Sequence, residues 1–124
     1  MRLPAVVLGL LTISSPASAM PVSTFLAKLD KLAAEGPIAT VTSDAALLKK
    51  ELQDSAASLR AERLATAQAG KTPAYCPDPQ GPPPSSDEII EALKEVPAAQ
   101  QGTTEVKDAL RSYMARRFPC ASRP

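Results

Sequence analysis

The sequence predicts an all-α fold: a small helical domain of about four helices with one disulfide, following a cleaved signal peptide. Three observations point there. Apolar residues recur at three- and four-residue spacing along four separate stretches. Alanine and leucine dominate the apolar content, with two Tyr, two Phe and no Trp, a composition that suits close-packed helices better than a sheet. The only two cysteines, Cys76 and Cys120, bracket the last two helical patterns, and each stands beside a proline.

Residues 1–19 have the three parts of an export signal. Arg2 supplies the positive end, Ala5 to Ile13 is an apolar run, and Ala17-Ser18-Ala19 matches the A-x-A pattern read by signal peptidase. Cleavage is expected between Ala19 and Met20. The run is much shorter than the roughly 20 residues that span a bilayer, so it is not an anchor. No cysteine follows it, which removes a lipoprotein. The alternative is that Met20 is the true start.

The mature part, 20–124, forms a single domain. Ser23 is placed to cap a first helix carrying Phe25, Leu26, Leu29, Leu32 and Ala33 on one face. Gly36 followed by Pro37 stops it. Residues 38–42 read as one extended turn with no strand partner.

Ser43 opens the longest pattern, with Asp44 where a helix start favours negative charge. Leu48, Leu52, Ala56, Leu59 and Arg63 fall on one stripe, with Leu47, Ser55 and Ala67 beside it. Lys49, Lys50, Glu51, Asp54, Arg60 and Glu62 lie mainly elsewhere. No Gly or Pro interrupts the pattern before Gly70, so one long helix is expected.

Six prolines between residues 71 and 85 exclude regular structure and favour a stiff, extended connector that carries Cys76 across the body. A Pro-rich ligand for an aromatic groove is the other reading. Ser85-Ser86-Asp87-Glu88 then has the form of a capping box, leading into Ile89, Ile90, Leu93 and Val96, with Pro97 as terminator. Gly102-Thr103-Thr104 is expected to start the last helix, with Val106, Leu110, Tyr113, Met114 and Phe118 on its buried stripe. Both helices are too short to hold alone in water.

In an exported chain two cysteines most often pair. A Cys76–Cys120 bond would turn 76–120 into a helical hairpin closed at its ends. The loop-entropy relation puts such a bond at about 4 kcal/mol, before native strain is subtracted. The alternative, two free thiols in a cytosolic protein, depends on the leader being absent.

Several function classes are disfavoured by composition. Without Arg2, basic and acidic residues are equal at thirteen each, so no charge excess draws the chain to nucleic acid or to an anionic membrane. Histidine is absent, which removes the usual Ser–His and Cys–His nucleophiles and the usual zinc ligands. No P-loop, G-x-S-x-G elbow, G-x-G-x-x-G turn or S-x-x-K motif occurs. Asp87, Glu88, Glu91 and Glu95 crowd one helix, and Lys107, Arg111, Arg116 and Arg117 weight the next. A carboxylate acid–base pair needs burial to separate its pKa values. These acids lie opposite the leucines, so a solvated face with cross-helix ion pairs is expected. Tyr75 and Tyr113 read as packing residues beside the disulfide. The chain is not expected to be an enzyme or to carry a cofactor or metal. The Pro-rich loop and the turn from Pro97 to Gly102 are long enough to project and bind.

The order Cys76-Pro77, a helix with Ile89, Ile90 and Leu93, a turn at Pro97, Ala109-Leu110 and the ending Phe118-Pro119-Cys120 resembles the Rap/Tai immunity proteins of type VI secretion. The resemblance covers about 45 residues of the C-terminal half. Further cysteines typical of that family's first half are missing. The region from Phe25 to Gly70, with Leu59-Arg60-Ala61-Glu62-Arg63, looks more like exported α-proteobacterial proteins of unknown role. The Rap/Tai resemblance implies a helical, disulfide-linked periplasmic protein that binds and neutralises a peptidoglycan amidase effector. An exported structural or interaction protein on the same scaffold is the alternative.

Overall fold

The computed structural model describes residues 19–120, and of the expected leader only Ala19 falls among them. Four helices form there: α1 (Val22–Glu35), α2 (Ser43–Gln68), α3 (Ser86–Lys94) and α4 (Val106–Arg117). Short 3-10 turns occupy Gly36–Val41 and Ala98–Gln100. The all-α expectation holds, and residues 38–41 are wound into a 3-10 turn where an extended one was expected, leaving only Thr42 extended.

The helix ends are closed by local side-chain and backbone bonds. At α3 the capping box is complete: Ser85 Oγ accepts from the Glu88 N–H at 3.2 Å, and Glu88 Oε2 accepts from the Ser85 N–H at 2.9 Å. Gly70 adopts φ 74°, open to a residue without Cβ. There the Gly70 N–H reaches Ala67 O and the Lys71 N–H reaches Thr66 O, which gives two of the last carbonyls of α2 their partners. Thr42, one residue before the expected Ser43, caps α2 by accepting from the Ala45 N–H at 3.3 Å.

Two starts differ from expectation. Ser23 does not cap α1, because the helix begins at Val22 and its first N–H groups have backbone partners elsewhere. Val22 donates to Thr104 O at 2.9 Å and Ser23 to Gln101 O at 3.0 Å. Residues 102–104 likewise do not begin α4, which starts at Val106. The Thr104 carbonyl is engaged by α1, as is that of Gln101 before it, and Val106 N–H donates to Met20 O at 2.9 Å. Pro21 and Glu105 thereby form an isolated antiparallel bridge that ties the start of α1 to the α3–α4 connection.

The core runs between the helices. Val22, Phe25, Leu93 and Val106 are wholly buried, joined by Leu48, Leu59, Tyr75, Ala109 and Leu110. On α2 the expected stripe is narrower than its length. Leu48, Ser55 and Leu59 are buried and Leu52 is half-buried, whereas Ala56, Leu47, Leu64 and Ala67 are exposed, as is Ala33 on α1. Length explains this. At 1.5 Å per residue α2 extends about 39 Å, against about 21 Å for α1 and about 18 Å for α4. Neither neighbour can cover it end to end.

Cys76 and Cys120 are bonded, with Cα atoms 4.8 Å apart. The Cys76 N–H also donates to Phe118 O at 2.8 Å, so backbone and sulfur pin the same place. The Pro-rich connector is thus anchored at the C-terminal end of α4.

Candidate functional site

Three places on this frame have the chemistry to act: an apolar tip, an ion-pair seam and an apolar cavity.

The tip is the 3-10 turn at Gly36–Val41. Ile38 is 75% exposed and Val41 83% exposed. In a 3-10 helix positions three apart eclipse one another, so the two side chains form one apolar knob. Its base is braced. Lys28 and Lys31 of α1 approach Asp44 of α2 at 3.2 and 3.7 Å. The Lys28 hydrogen bond and charge, with Lys31 adding to them, hold the Asp44 carboxyl below its usual pKa. From sequence alone 38–42 reads as one extended turn. Its usable signal was two β-branched apolar residues three apart, directly after Gly-Pro, with no face to bury them.

The seam lies between α2 and α4. Arg111 Nε donates to Glu62 Oε2 at 3.1 Å and Arg111 Nη2 to Glu62 Oε1 at 2.9 Å, while Arg111 Nη1 binds Asp108 at 2.7 Å. Lys107 Nζ reaches Glu62 at 2.9 Å and Ser58 Oγ at 3.2 Å. The Lys107 hydrogen bond pulls the Glu62 pKa down, burial opposes it, and Arg111 adds to the lowering. The expected solvated face is only partly right. Asp87, Glu88, Glu91 and Glu95 are exposed, and Glu95 meets Arg116 across the helices at 3.7 Å. Lys107 and Arg111, however, turn away from those acids toward α2. Ser58/Glu62 and Lys107/Arg111 are two i, i+4 pairs on facing helices, a pattern visible in the sequence and not used.

The cavity, of about 270 Å³, sits under the Pro-rich connector between α2 and α4, and Leu52, Leu59, Tyr75, Pro84, Ile89 and Tyr113 are among its walls. Tyr75 is buried in the core and Tyr113 half-buried, in keeping with packing roles. Arg63, placed on the apolar stripe of α2, lays its guanidinium 5.8 Å from the Tyr75 ring centroid. Its Nε is buried and meets no hydrogen-bond partner among the described residues.

Of the two sequence-predicted binding loops, the turn from Pro97 to Gly102 is exposed except at Gln101, which ties it back to the body. Gln101 O receives α1, and Gln101 Nε2 closes back on Val96 O at 2.9 Å. The Pro-rich loop exposes Pro79, Pro82 and Pro83 while its ends are held. Among the described residues no three His, Cys, Asp or Glu side chains converge on a point where a metal could bind. No helix among them is long and apolar enough to cross a membrane.

The chain matches no family model, no curated protein and no solved structure.

Proposed function

We propose that this chain is an exported, periplasmic, non-catalytic binding protein that neutralises a peptidoglycan amidase effector by occluding it. The observation that carries the binding part is the Ile38–Val41 knob. Isolated exposed apolar residues are ordinary on a surface, but two eclipsed β-branched side chains on a braced turn form a compact hydrophobic anchor. The knob enters the N-terminus of α2, while the disulfide-held connector packs beside its C-terminal half, about 25 Å along the helix. That arrangement leaves Ile38 and Val41 exposed while the clip stiffens the body behind them. The amidase as target is supported by the resemblance of the 76–120 module to Rap/Tai immunity proteins.

The test is protection in cells. Peptidoglycan amidase effectors of type VI systems would be directed to the periplasm of a Gram-negative host, with and without this chain carrying its own leader. Survival restored by the chain and lost with an Ile38→Asp/Val41→Asp variant, at equal periplasmic levels, supports the reading. Survival no better than without the chain, across such effectors, would leave a periplasmic structural protein as the better description.

A further inference from the structure

Met20 is held more tightly than a terminal residue needs to be. Its side chain packs on the core, its carbonyl accepts from Val106 N–H at 2.9 Å, and Pro21 beside it bridges to Glu105. Its backbone N–H points at Glu51 Oε1, 3.4 Å away. Ala19, one residue earlier, is exposed. The backbone enters the packed fold at the bond where the A-x-A pattern places cleavage.

Glu51 is half-buried on α2, and among the described residues it stands in no ion pair. Lys50 next to it is engaged by Asp54. The donor that Glu51 accepts from is a neutral amide at 3.4 Å, longer than the roughly 2.7–2.9 Å to which charge-assisted bonds close.

We propose that processing between Ala19 and Met20 converts the Met20 nitrogen into an ammonium that pairs with Glu51 and fixes the new terminus onto α2. This inference rests on the export reading. Hydrolysis of the Ala19–Met20 amide adds the oxygen of water to the Ala19 carbonyl carbon and leaves the amine on Met20. Below about pH 8 that amine carries a proton and a full positive charge. It replaces one N–H donor with three at a place already facing an acid. The surrounding space, a cavity of about 410 Å³ bounded by Met20, Thr24, Leu47, Lys50, Glu51 and Asp54 among others, leaves room for the ammonium to turn. The charged groups around it are Glu51, Asp54 and Lys50 from α2, and Glu105 from the bridged segment. Three acids face one base, Lys50, which Asp54 already neutralises, so the site is net acidic.

The sign of the resulting pH dependence follows. An ammonium stabilised by Glu51 titrates higher folded than unfolded. Its contribution is complete below the ordinary α-amino range, about 7.7–8.0, and is lost as pH rises through the folded value.

The experiment uses the full chain with its own leader, exported in a Gram-negative host and recovered from the periplasm. Intact mass and N-terminal sequencing locate the terminus, and NMR titration of the α-amine is run on the native chain, E51Q and E105Q. We expect a terminus at Met20 whose amine binds its proton about tenfold tighter than an ordinary α-amine. That tightness should disappear in E51Q and persist in E105Q. A Met20 terminus that titrates alike in the native chain and E51Q overturns the ion pair while leaving export standing, as does a shift that follows E105Q. A periplasmic chain cut elsewhere overturns the pairing of Met20 while leaving export standing, and a chain that stays uncleaved in the cytoplasm overturns both.

Discussion

Arg111 holds Glu62 with two nitrogens across 49 residues of sequence, Nε at 3.1 Å and Nη2 at 2.9 Å, and so fixes the rotation of α4 against α2. A planar guanidinium is needed for this fork, and a lysine ammonium cannot reproduce it. Both side chains are about a third or more exposed, so solvent screening keeps the pair modest. Arg111→Met is expected to lower unfolding free energy by about 1 kcal/mol, and Arg111→Lys to recover only part of that. Urea unfolding followed by circular dichroism checks both, and an Arg111→Lys variant as stable as the native chain would show that the fork is dispensable.

The same carboxylate sets a pH dependence. Glu62 is held below its usual pKa by the Lys107 hydrogen bond, against burial and with help from Arg111. The unfolded chain therefore binds the proton more readily, and this contribution to stability is complete above the ordinary glutamate value of about 4.3. It is lost as pH falls through the depressed folded value. Asp44, lowered by Lys28, works in the same direction. The urea midpoint should drop between pH 5 and pH 3, and Glu62→Gln should flatten that slope.

Reduction of Cys76–Cys120 should loosen the C-terminal half first. The bond restrains a 44-residue separation, and α3 and α4 are nine and twelve residues long. Helices of that length do not persist unaided. Cys76→Ser/Cys120→Ser is expected to cost up to about 4 kcal/mol. Hydrogen exchange should accelerate at 86–117 before it does in α1 and in the N-terminal half of α2.

Core and surface leucines should separate cleanly. Leu93 is fully buried, and Leu93→Ala is expected to lose about 2–5 kcal/mol. Leu64 is 45% exposed on the uncovered side of α2, and Leu64→Ala should fall within about 0.5 kcal/mol of the native chain. Thermal unfolding of the two variants side by side measures the contrast.

What could be read in advance was local. The Ser85–Glu88 box, the Gly70 stop and the pairing of two cysteines each depend on residue identity at fixed offsets, and all three are present. What escaped depends on which elements meet. The carbonyls of Gln101 and Thr104 that receive α1 carry no side-chain signature, so Ser23 looked like a cap and Gly102 like a helix start. Lys107 and Arg111 looked like partners for the α3 acids until α2 was found on their other side. Periodicity marked the inward side of α2 but could not say how far along it the neighbours reach. Ile38 and Val41 were passed over for the same reason. Apolar residues in a short turn are informative only once the rest of the molecule is known not to cover them.

The most direct measurement of the proposed role is calorimetric titration of the processed chain into a purified peptidoglycan amidase effector, repeated with Ile38→Asp/Val41→Asp. We expect saturable one-to-one binding that abolishes amidase activity, with Kd raised about 100-fold or more by the double substitution while the helical spectrum is unchanged. Binding of undiminished strength by the double variant, or amidase activity that persists in the saturated complex, would contradict occlusion through this tip.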